Sequence, residues 1–255
     1  MKAWALALLA LVGLAAMAQP LPDGRRSGFE FMGESTQAMQ RDDALNPGML
    51  WVLEGESAWS QPVGAEGRSC AGCHGDARRS MRGVAARYPA FDAALQRPVD
   101  LRQRIAGCRQ KLQPQAIAPG DEPLGLALEA FVAFQSRGLP MAPPADPRLA
   151  PARERGRQLF QQRLGQLDLA CSDCHEAMAG RRLGGSPIPQ AHPTGYPIYR
   201  LEWQGLGSLK RRLRACLSGV RAEPFAWGAP QWIELELYLA WRARGMLLES
   251  PAVRP

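Results

Sequence analysis

The sequence predicts an all-α fold, made of two tandem and related helical units behind an N-terminal extension. Three observations carry that expectation. The pattern Cys-x-x-Cys-His occurs twice, at Cys70 to His74 and at Cys171 to His175. Downstream of each, Leu209-Lys210-Arg211-Arg212-Leu213-Arg214-Ala215-Cys216 aligns without gaps on Leu101-Arg102-Gln103-Arg104-Ile105-Ala106-Gly107-Cys108. The closing segments also match, with Glu129, Phe131, Ala133, Phe134, Arg137 and Gly138 opposite Glu236, Tyr238, Ala240, Trp241, Arg244 and Gly245. Aromatic side chains three apart share one helix face, and self-similarity of this kind marks a duplication.

The repeated motif carries the chemistry. Cys171-Ser172-Asp173-Cys174-His175 is the attachment signature of c-type haem. On one helical turn the two sulfurs share a face and form thioethers to the vinyl groups, while the histidine stands beneath the iron as proximal ligand. Cys70-Ala71-Gly72-Cys73-His74 repeats the pattern, so two covalently bound c-type haems are expected. The competing reading is a zinc site, in which Cys171, Cys174 and His175 would need a fourth ligand such as His192.

Taken in order, the chain begins with Lys2, an apolar run from Trp4 to Leu14, and Ala16-Met17-Ala18, which read as a secretory signal peptide cleaved after Ala18. The run is short for a bilayer, so no membrane span is expected and the mature protein is read as soluble and periplasmic, where the cysteines meet oxidising conditions. With 255 residues, 46% of them apolar, the chain suits one large or two small domains. Its formal charge of +7 falls by one when Lys2 leaves with the leader. An exported chain does not meet nucleic acid, so the basic excess points to an anionic substrate or an acidic partner. A solvated surface with surplus arginine accounts for the charge equally well.

Residues Gln19 to Asn46 form a polar extension with little helical periodicity, expected to lie along the body of the protein, and Asn46-Pro47-Gly48 punctuates it. Helices are then expected from Met49, from Asp100 to Leu112 and from Leu124 to Arg137. The proline-rich stretch Leu139 to Pro147 is a linker, unable to form helix or central strand. Beyond it Gly156 is read as opening a helix through Leu159-Phe160, as Gly48 opens one with Leu50-Trp51. The organisation is therefore 1–18 leader, 19–46 extension, 47–138 a cytochrome c-like unit with the first haem, 139–150 linker, and 151–255 a second such unit.

Each iron has a sixth position. Met141 and Met246 follow the closing helix, where the usual methionine ligand precedes it. Met81 and Met178 sit too close behind their own histidines, so all four methionines are read as packing residues. Cys108 and Cys216 precede the closing helix at matched positions and are favoured as thiolate ligands, which makes the metal ligands His74, Cys108, His175 and Cys216. A Cys108 to Cys216 disulfide is the alternative. Thiolate ligation lowers the potential and makes a reluctant acceptor. Lys210, Arg211, Arg212, Arg214 and Arg221 are expected around Cys216, a sulfur awaiting an anion, with Arg212 one turn before it and suited to an oxyanion by its planar fork of donors. A basic face that merely neutralises haem propionates is the competing reading.

These residues resemble the SoxA family of bacterial sulfur oxidation, the diheme subunit of L-cysteine S-thiosulfotransferase. The likeness covers nearly all of the mature chain. It includes Ser27 to Met32, Asn46-Pro47-Gly48, both haem motifs, Gln190-Ala191-His192-Pro193-Thr194-Gly195-Tyr196-Pro197, and Arg212 through Pro224. The resemblance implies oxidative joining of thiosulfate to a cysteine of SoxY in the SoxYZ carrier, with electrons leaving through a monoheme partner, SoxX, to a soluble cytochrome c. It implies catalytic roles for Cys216, found as a persulfide in such proteins, and for Arg212, holding the sulfonate of thiosulfate. The first haem has the less settled role. Two other function classes compete: a thiosulfate dehydrogenase forming tetrathionate, which turns over thiosulfate alone, and a diheme electron carrier, which has methionine ligands and no turnover.

Overall fold

The computed structural model describes residues 23–112 and 120–255, so the expected leader and its cleavage after Ala18 lie outside the described residues. The N-terminal extension is more ordered than its weak periodicity predicts. It holds a 3-10 turn, Gly28–Phe31, and helix α1, Glu34–Arg41. Ser27 and Glu30 close the turn as a capping box, Ser27 N donating to Glu30 Oε1 at 2.9 Å. That reciprocal exchange makes structure without an apolar stripe. The extension lies along the second unit: Arg25 donates to the carbonyls of Arg242 and Arg244 at 2.7 and 2.8 Å.

The first unit runs through α2 (Gly48–Ser60), α3 (Cys70–His74), α4 (Ala77–Ser80), the hairpin β1 (Ala90–Asp92) and β2 (Arg97–Val99), α5 (Leu101–Leu112) and α6 (Pro123–Phe134). Asn46 fixes its start, Oδ1 accepting from Gly48 N and Nδ2 donating to Pro251 O, both at 2.9 Å. The second unit contains α7 (Ala150–Gln161), a π turn at Asp173–Ala177, β3 (Arg182–Leu183), β4 (Ser186–Pro187), β5 (Ile198–Arg200), β6 (Gly205–Gly207), α8 (Leu209–Gly219), α9 (Pro230–Arg242) and β7 (Ala252–Arg254). The fold is helix-rich, but the all-α expectation needs correction. The strands build two hairpins and a three-stranded sheet in the order β6-β5-β7, with β7 parallel to β5. Strands of two or three residues are too short for alternation to show in sequence.

The same packing occurs in both units. Helix α2 lies on α6 and α7 lies on α9, each through a glycine set against carbonyl oxygen: a Cβ on Gly55 would overlap Ala127 O, and one on Gly156 would overlap Glu234 O. Gly156 therefore sits inside α7, not at its start, and its counterpart is Gly55 rather than Gly48. One turn further on, Trp59 meets Phe131 at 5.8 Å between ring centroids and Phe160 meets Tyr238 at 5.4 Å. Helix α6 is apolar nearly all round because it is buried from Gly125 to Ala133 with Glu129 as its half-buried break.

The proline-rich linker is an ordered joint. Met141 N donates to Met246 O and Gly138 N to Leu248 O at 2.8 Å, while Gly245 N donates to Met141 O at 2.8 Å and Leu248 N to Leu139 O at 2.9 Å. The segments that follow the two closing helices thus pair with each other, reciprocally. Beside this joint the units meet around a cavity of about 420 Å³ lined with charge. Arg102 bonds Glu129 at 2.5 Å and Asp121 at 2.9 Å, and Ser208 Oγ donates to Asp121 at 2.6 Å. Burial, together with Asp100, pushes the Glu236 carboxyl well above the usual carboxylate range, with Lys210 opposing.

Candidate active site

The first motif is helix α3. Ser69 Oγ caps it by accepting from Gly72 N at 3.0 Å, and Gly75, at φ +68°, ends it. Trp59 reaches across from α2, its Nε1 donating to Gly75 O at 3.1 Å and its ring centroid 5.7 Å from that of His74. Cys73 and His74 are exposed.

The second motif starts as helix at Cys171 and widens into the π turn Asp173–Ala177, a distortion common at functional sites. Asp173 Oδ2 accepts from Ala170 N at 2.9 Å and Arg163 Nη1 at 3.2 Å, which fixes the entry to the turn. His175 Nδ1 lies 2.7 Å from Pro189 O. That carbonyl accepts only if Nδ1 carries the proton, leaving the lone pair on Nε2, the arrangement of a metal-bound imidazole. Burial, with Arg212 and Arg242 nearby, holds His175 below the ordinary imidazole range and keeps it neutral, although the Pro189 bond opposes the shift.

Each motif receives a further cysteine from the helix after it. Burial raises the Cys70 thiol, and Cys108 on α5 is its next cause. Burial pushes Cys171 up to about 11, and Cys216 on α8 adds to it. Cys108 and Cys216 thus stand beside their own motifs, and all six cysteines are unpaired, so the disulfide alternative is not adopted. The donors fit covalent haem: two sulfurs and a histidine per turn, an oriented imidazole in the second unit, and a facing sulfur in each. They do not fit zinc. Among the described residues no three His, Cys, Asp or Glu groups converge on a metal position. His192 is instead tied through Nδ1 to Arg26 O at 2.8 Å, holding the N-terminal extension.

Of the methionines, Met141 and Met246 pack with Ala240 and Ala243, and Met81 packs on the core of the first unit. Met178, the residue that ends the π turn, departs from the expected packing role, being exposed.

The cations expected around Cys216 disperse. Lys210 reaches toward Asp100 at 3.8 Å, Arg211 stacks on Trp203 at 4.2 Å, and Arg214 donates to Phe225 O at 2.5 Å and stacks on Trp227 at 4.7 Å. Arg221 is exposed in a turn, its carbonyl accepting from Gln166 N at 3.3 Å. That turn docks the loop leading into the second motif, because Gly165 has no room for a side chain against Val220 O. Arg212 alone of the group remains at the site, within electrostatic reach of His175, Tyr196 and Arg200, and no ion pair to it occurs among the described residues. Its matched residue Arg104 pairs with Asp92 at 2.9 Å, and Arg109 pairs with Glu122 at 2.9 Å. Beside its cysteine the first unit pairs Arg104 and Arg109 with carboxylates, whereas Arg212 in the second has no ion pair among the described residues.

The residues without an assigned role in the sequence reading are Pro189, Tyr196, Arg200 and Trp203. They lie on the wall between the second motif and α8, and the Gln190 to Pro197 stretch was its visible signal. Burial pushes the Tyr196 phenol up to about 12, so it stays a proton donor at neutral pH, with Arg212 and Cys216 both acting on it.

A fold of this kind around Cys-x-x-Cys-His turns is that of a c-type cytochrome, and a family model for the SoxA/TsdA cytochrome c domain matches residues 54–141. Relatives over most of the length are more specific. The L-cysteine S-thiosulfotransferase subunit SoxA of Rhodovulum sulfidophilum is 36% identical over 235 residues, covering 91% of this chain and 81% of that one. The SoxA subunit of Pseudaminobacter salicylatoxidans is 36% identical over 229 residues, 89% and 80% of the two chains. A chain in the crystal structure of SoxXA from P. pantotrophus superposes with a TM-score of 0.86 at 31% identity, covering 91% of this chain and 87% of that one. The chain belongs to the SoxA family.

Proposed function

We propose that this chain is the catalytic haem subunit of an L-cysteine S-thiosulfotransferase, joining thiosulfate oxidatively to a cysteine of the SoxY carrier in SoxYZ. The carrier thiol and thiosulfate form one S–S bond, giving an S-thiosulfonate, one proton and two electrons. The observation that carries this reading is Arg212: one turn before Cys216 on α8, near His175, and unpaired among the described residues where its counterpart Arg104 is neutralised by Asp92. A guanidinium without a carboxylate beside a sulfur is suited to an oxyanion substrate.

Two covalently bound c-type haems belong to this proposal; Cys70, Cys73 and His74 would hold one and Cys171, Cys174 and His175 the other, with Cys108 and Cys216 as the thiolates that would complete their ligation. When bound, the second haem supplies an acceptor for electrons one at a time, its potential kept low by thiolate. The chain's own residues do the rest. Arg212 holds the sulfonate end of thiosulfate, Tyr196 stands as a donor at the same wall, and the sulfur of Cys216 takes part in making the new S–S bond. Electrons pass to a SoxX-type monoheme partner in a heterodimer and on to a soluble cytochrome c. The reciprocal bonds between Gly138–Met141 and Gly245–Leu248 support the reading of two tandem cytochrome c-like units, 47–138 and 151–255, joined by 139–150 behind the extension 19–46. A leader at 1–18 and a periplasmic location complete it; no described helix is long and apolar enough to cross a membrane.

Intact mass spectrometry of the mature protein counts haems and any extra sulfur on Cys216. Thiosulfate-dependent mass gain on SoxY, with ferricytochrome c as acceptor, tests the reaction. Full turnover of thiosulfate to tetrathionate without SoxYZ would replace this reading with the dehydrogenase.

A further inference from the structure

The wall opposite α8 holds a second cation in an unusual state. Arg200, the last residue of β5, is nine-tenths buried, at 9% exposure, and its Nε has no hydrogen-bond partner. Among the described residues its one carboxylate partner is Glu202, bonded through Nη2 at 2.6 Å and itself 64% exposed, so the fork is engaged at Nη2 and not at Nε. A buried guanidinium with an unfilled donor is costly unless something accepts from it.

The position of Arg200 is fixed from several sides. In the sheet it sits between Gly205 of β6 and Arg254 of β7. Its guanidinium lies 5.1 Å from the centre of the Trp203 ring, whose place is set by Gly207, where any side chain would overlap that ring. Arg211 of α8 stacks on the same ring at 4.2 Å. Arg200 thus faces α8 with Arg212, Cys216 and Tyr196 in electrostatic reach. Burial lowers its pKa, and the like charge of Arg212 lowers it further. A buried guanidinium with an open Nε, in electrostatic reach of an Arg212 that has no ion pair among the described residues, makes a pair of cations suited to an anion.

We propose that Arg200 is the second cation of the oxyanion site at Cys216, gripping the sulfonate group of thiosulfate opposite Arg212. This rests on the reading of Cys216 as the acting sulfur. A tetrahedral sulfonate presents three oxygens, and two forks from different elements, α8 and β5, bind more than one of them at once, orienting the sulfane sulfur toward Cys216. A haem propionate has the same anionic chemistry and is the rival source.

The test uses the haem-loaded heterodimer with Arg200→Gln and Arg200→Lys. Thiosulfate affinity is measured by calorimetric titration without carrier, and KM and kcat with SoxYZ. Haem content, Soret spectrum and the midpoint potential of each haem are followed in parallel. Arg200→Gln is expected to raise Kd and KM for thiosulfate about 10- to 100-fold, the loss of one charge-assisted contact, with kcat less affected and haem content, spectrum and potentials unchanged. Arg200→Lys, which keeps the charge but loses the fork, is expected to fall between the two and serves alone if the Gln variant does not fold. Thiosulfate Kd unchanged in the variant that folds overturns the proposal, as does a shifted haem potential with unchanged KM, which would assign Arg200 to a propionate. Failure of the underlying reading looks different: Cys216→Ala would then retain thiosulfate transfer whatever Arg200 does.

Discussion

Arg212 and Arg104 occupy matched positions, each four residues before a cysteine expected to face an iron, so substituting both separates the site from the repeat. Arg212→Ala removes a half-buried guanidinium that has no ion pair among the described residues, and no protein carboxylate is stranded by its loss. Folding stability should hardly change. Binding of the reacting anion should suffer, because a charge-assisted hydrogen bond contributes about 1.5 to 3 kcal/mol, roughly a tenfold to hundredfold loss in kcat/KM. Arg104→Ala is the converse. Its partner Asp92 also accepts from Ala94 N at 2.8 Å and Leu95 N at 3.0 Å, so that carboxylate stays hydrogen-bonded when the arginine goes, and thiosulfate transfer should stay close to wild type. The assay is thiosulfate-dependent mass gain on SoxY, with haem content and thermal melting as controls. Equal loss of activity in the two variants, or loss in Arg104→Ala alone, would refute the assignment of the site to the second unit.

Further outcomes follow from the same geometry. Cys216→Ala should abolish transfer while Cys108→Ala leaves most of it, measured on protein with matched haem content. Gly156→Ala places a methyl against Glu234 O and must push α7 off α9; overpacking costs about 1 to 3 kcal/mol and the gain in helix propensity returns up to about 1. Because the clash is with backbone, the cost falls at the top of that range, and the net loss of about 2 kcal/mol lowers Tm by roughly 4 to 8 °C; an unchanged Tm would show that the helix contact is looser than described. Glu236→Gln should stabilise the protein at neutral pH. Burial raises the folded-state pKa of this carboxyl, so the native state holds a proton that the unfolded chain releases above its ordinary range. Stability is then lost as pH rises from the unfolded toward the folded pKa, at about 1.4 kcal/mol per unit between them, and the variant's advantage should vanish in acid. Thermal melts of both proteins from pH 4 to 8 check it; a Gln variant less stable throughout would mean that Glu236 is held charged by Lys210.

What the sequence could and could not reveal divides along physical lines. The Cys-x-x-Cys-His turns, the helices after them and the place of Arg212 one turn before Cys216 were legible because each rests on local spacing within one helix. The alignment of Gly156 with Gly48 failed because both glycines precede a Leu-aromatic pair, whereas the contact that matters, glycine against the carbonyl of the closing helix, is between elements and pairs Gly156 with Gly55. The basic cluster misled for a related reason. Lys210, Arg211 and Arg214 are adjacent to Cys216 in sequence, but a helix turns them toward Asp100, Trp203 and Phe225. Arg200 was invisible, since an arginine at the end of a three-residue strand carries no periodic signal and its meaning depends on α8 lying opposite.

The two units differ most in what lies between haem turn and cysteine helix. The first unit fills that interval with α4, a 3-10 turn at Ala85–Arg87 and the β1–β2 hairpin, whose Asp92 reaches Arg104. The second builds a wall from β3 to β6, which supplies Pro189 to His175 and sets Tyr196 and Arg200 across from Arg212. That wall is braced by both ends of the described chain. Glu249 N donates to Thr194 O at 2.7 Å, Ala252 N to Gly195 O at 3.1 Å, and β7 pairs with β5, while Arg26 N donates to Gln190 at 2.7 Å. Bonds from elements so distant in sequence hold the wall more firmly than its short strands could alone. A wall that holds Arg200 within electrostatic reach of Arg212 needs such bracing, since the repulsion between like charges works to part them. The extension and the C-terminal strand are therefore what brace the wall that carries Tyr196 and Arg200.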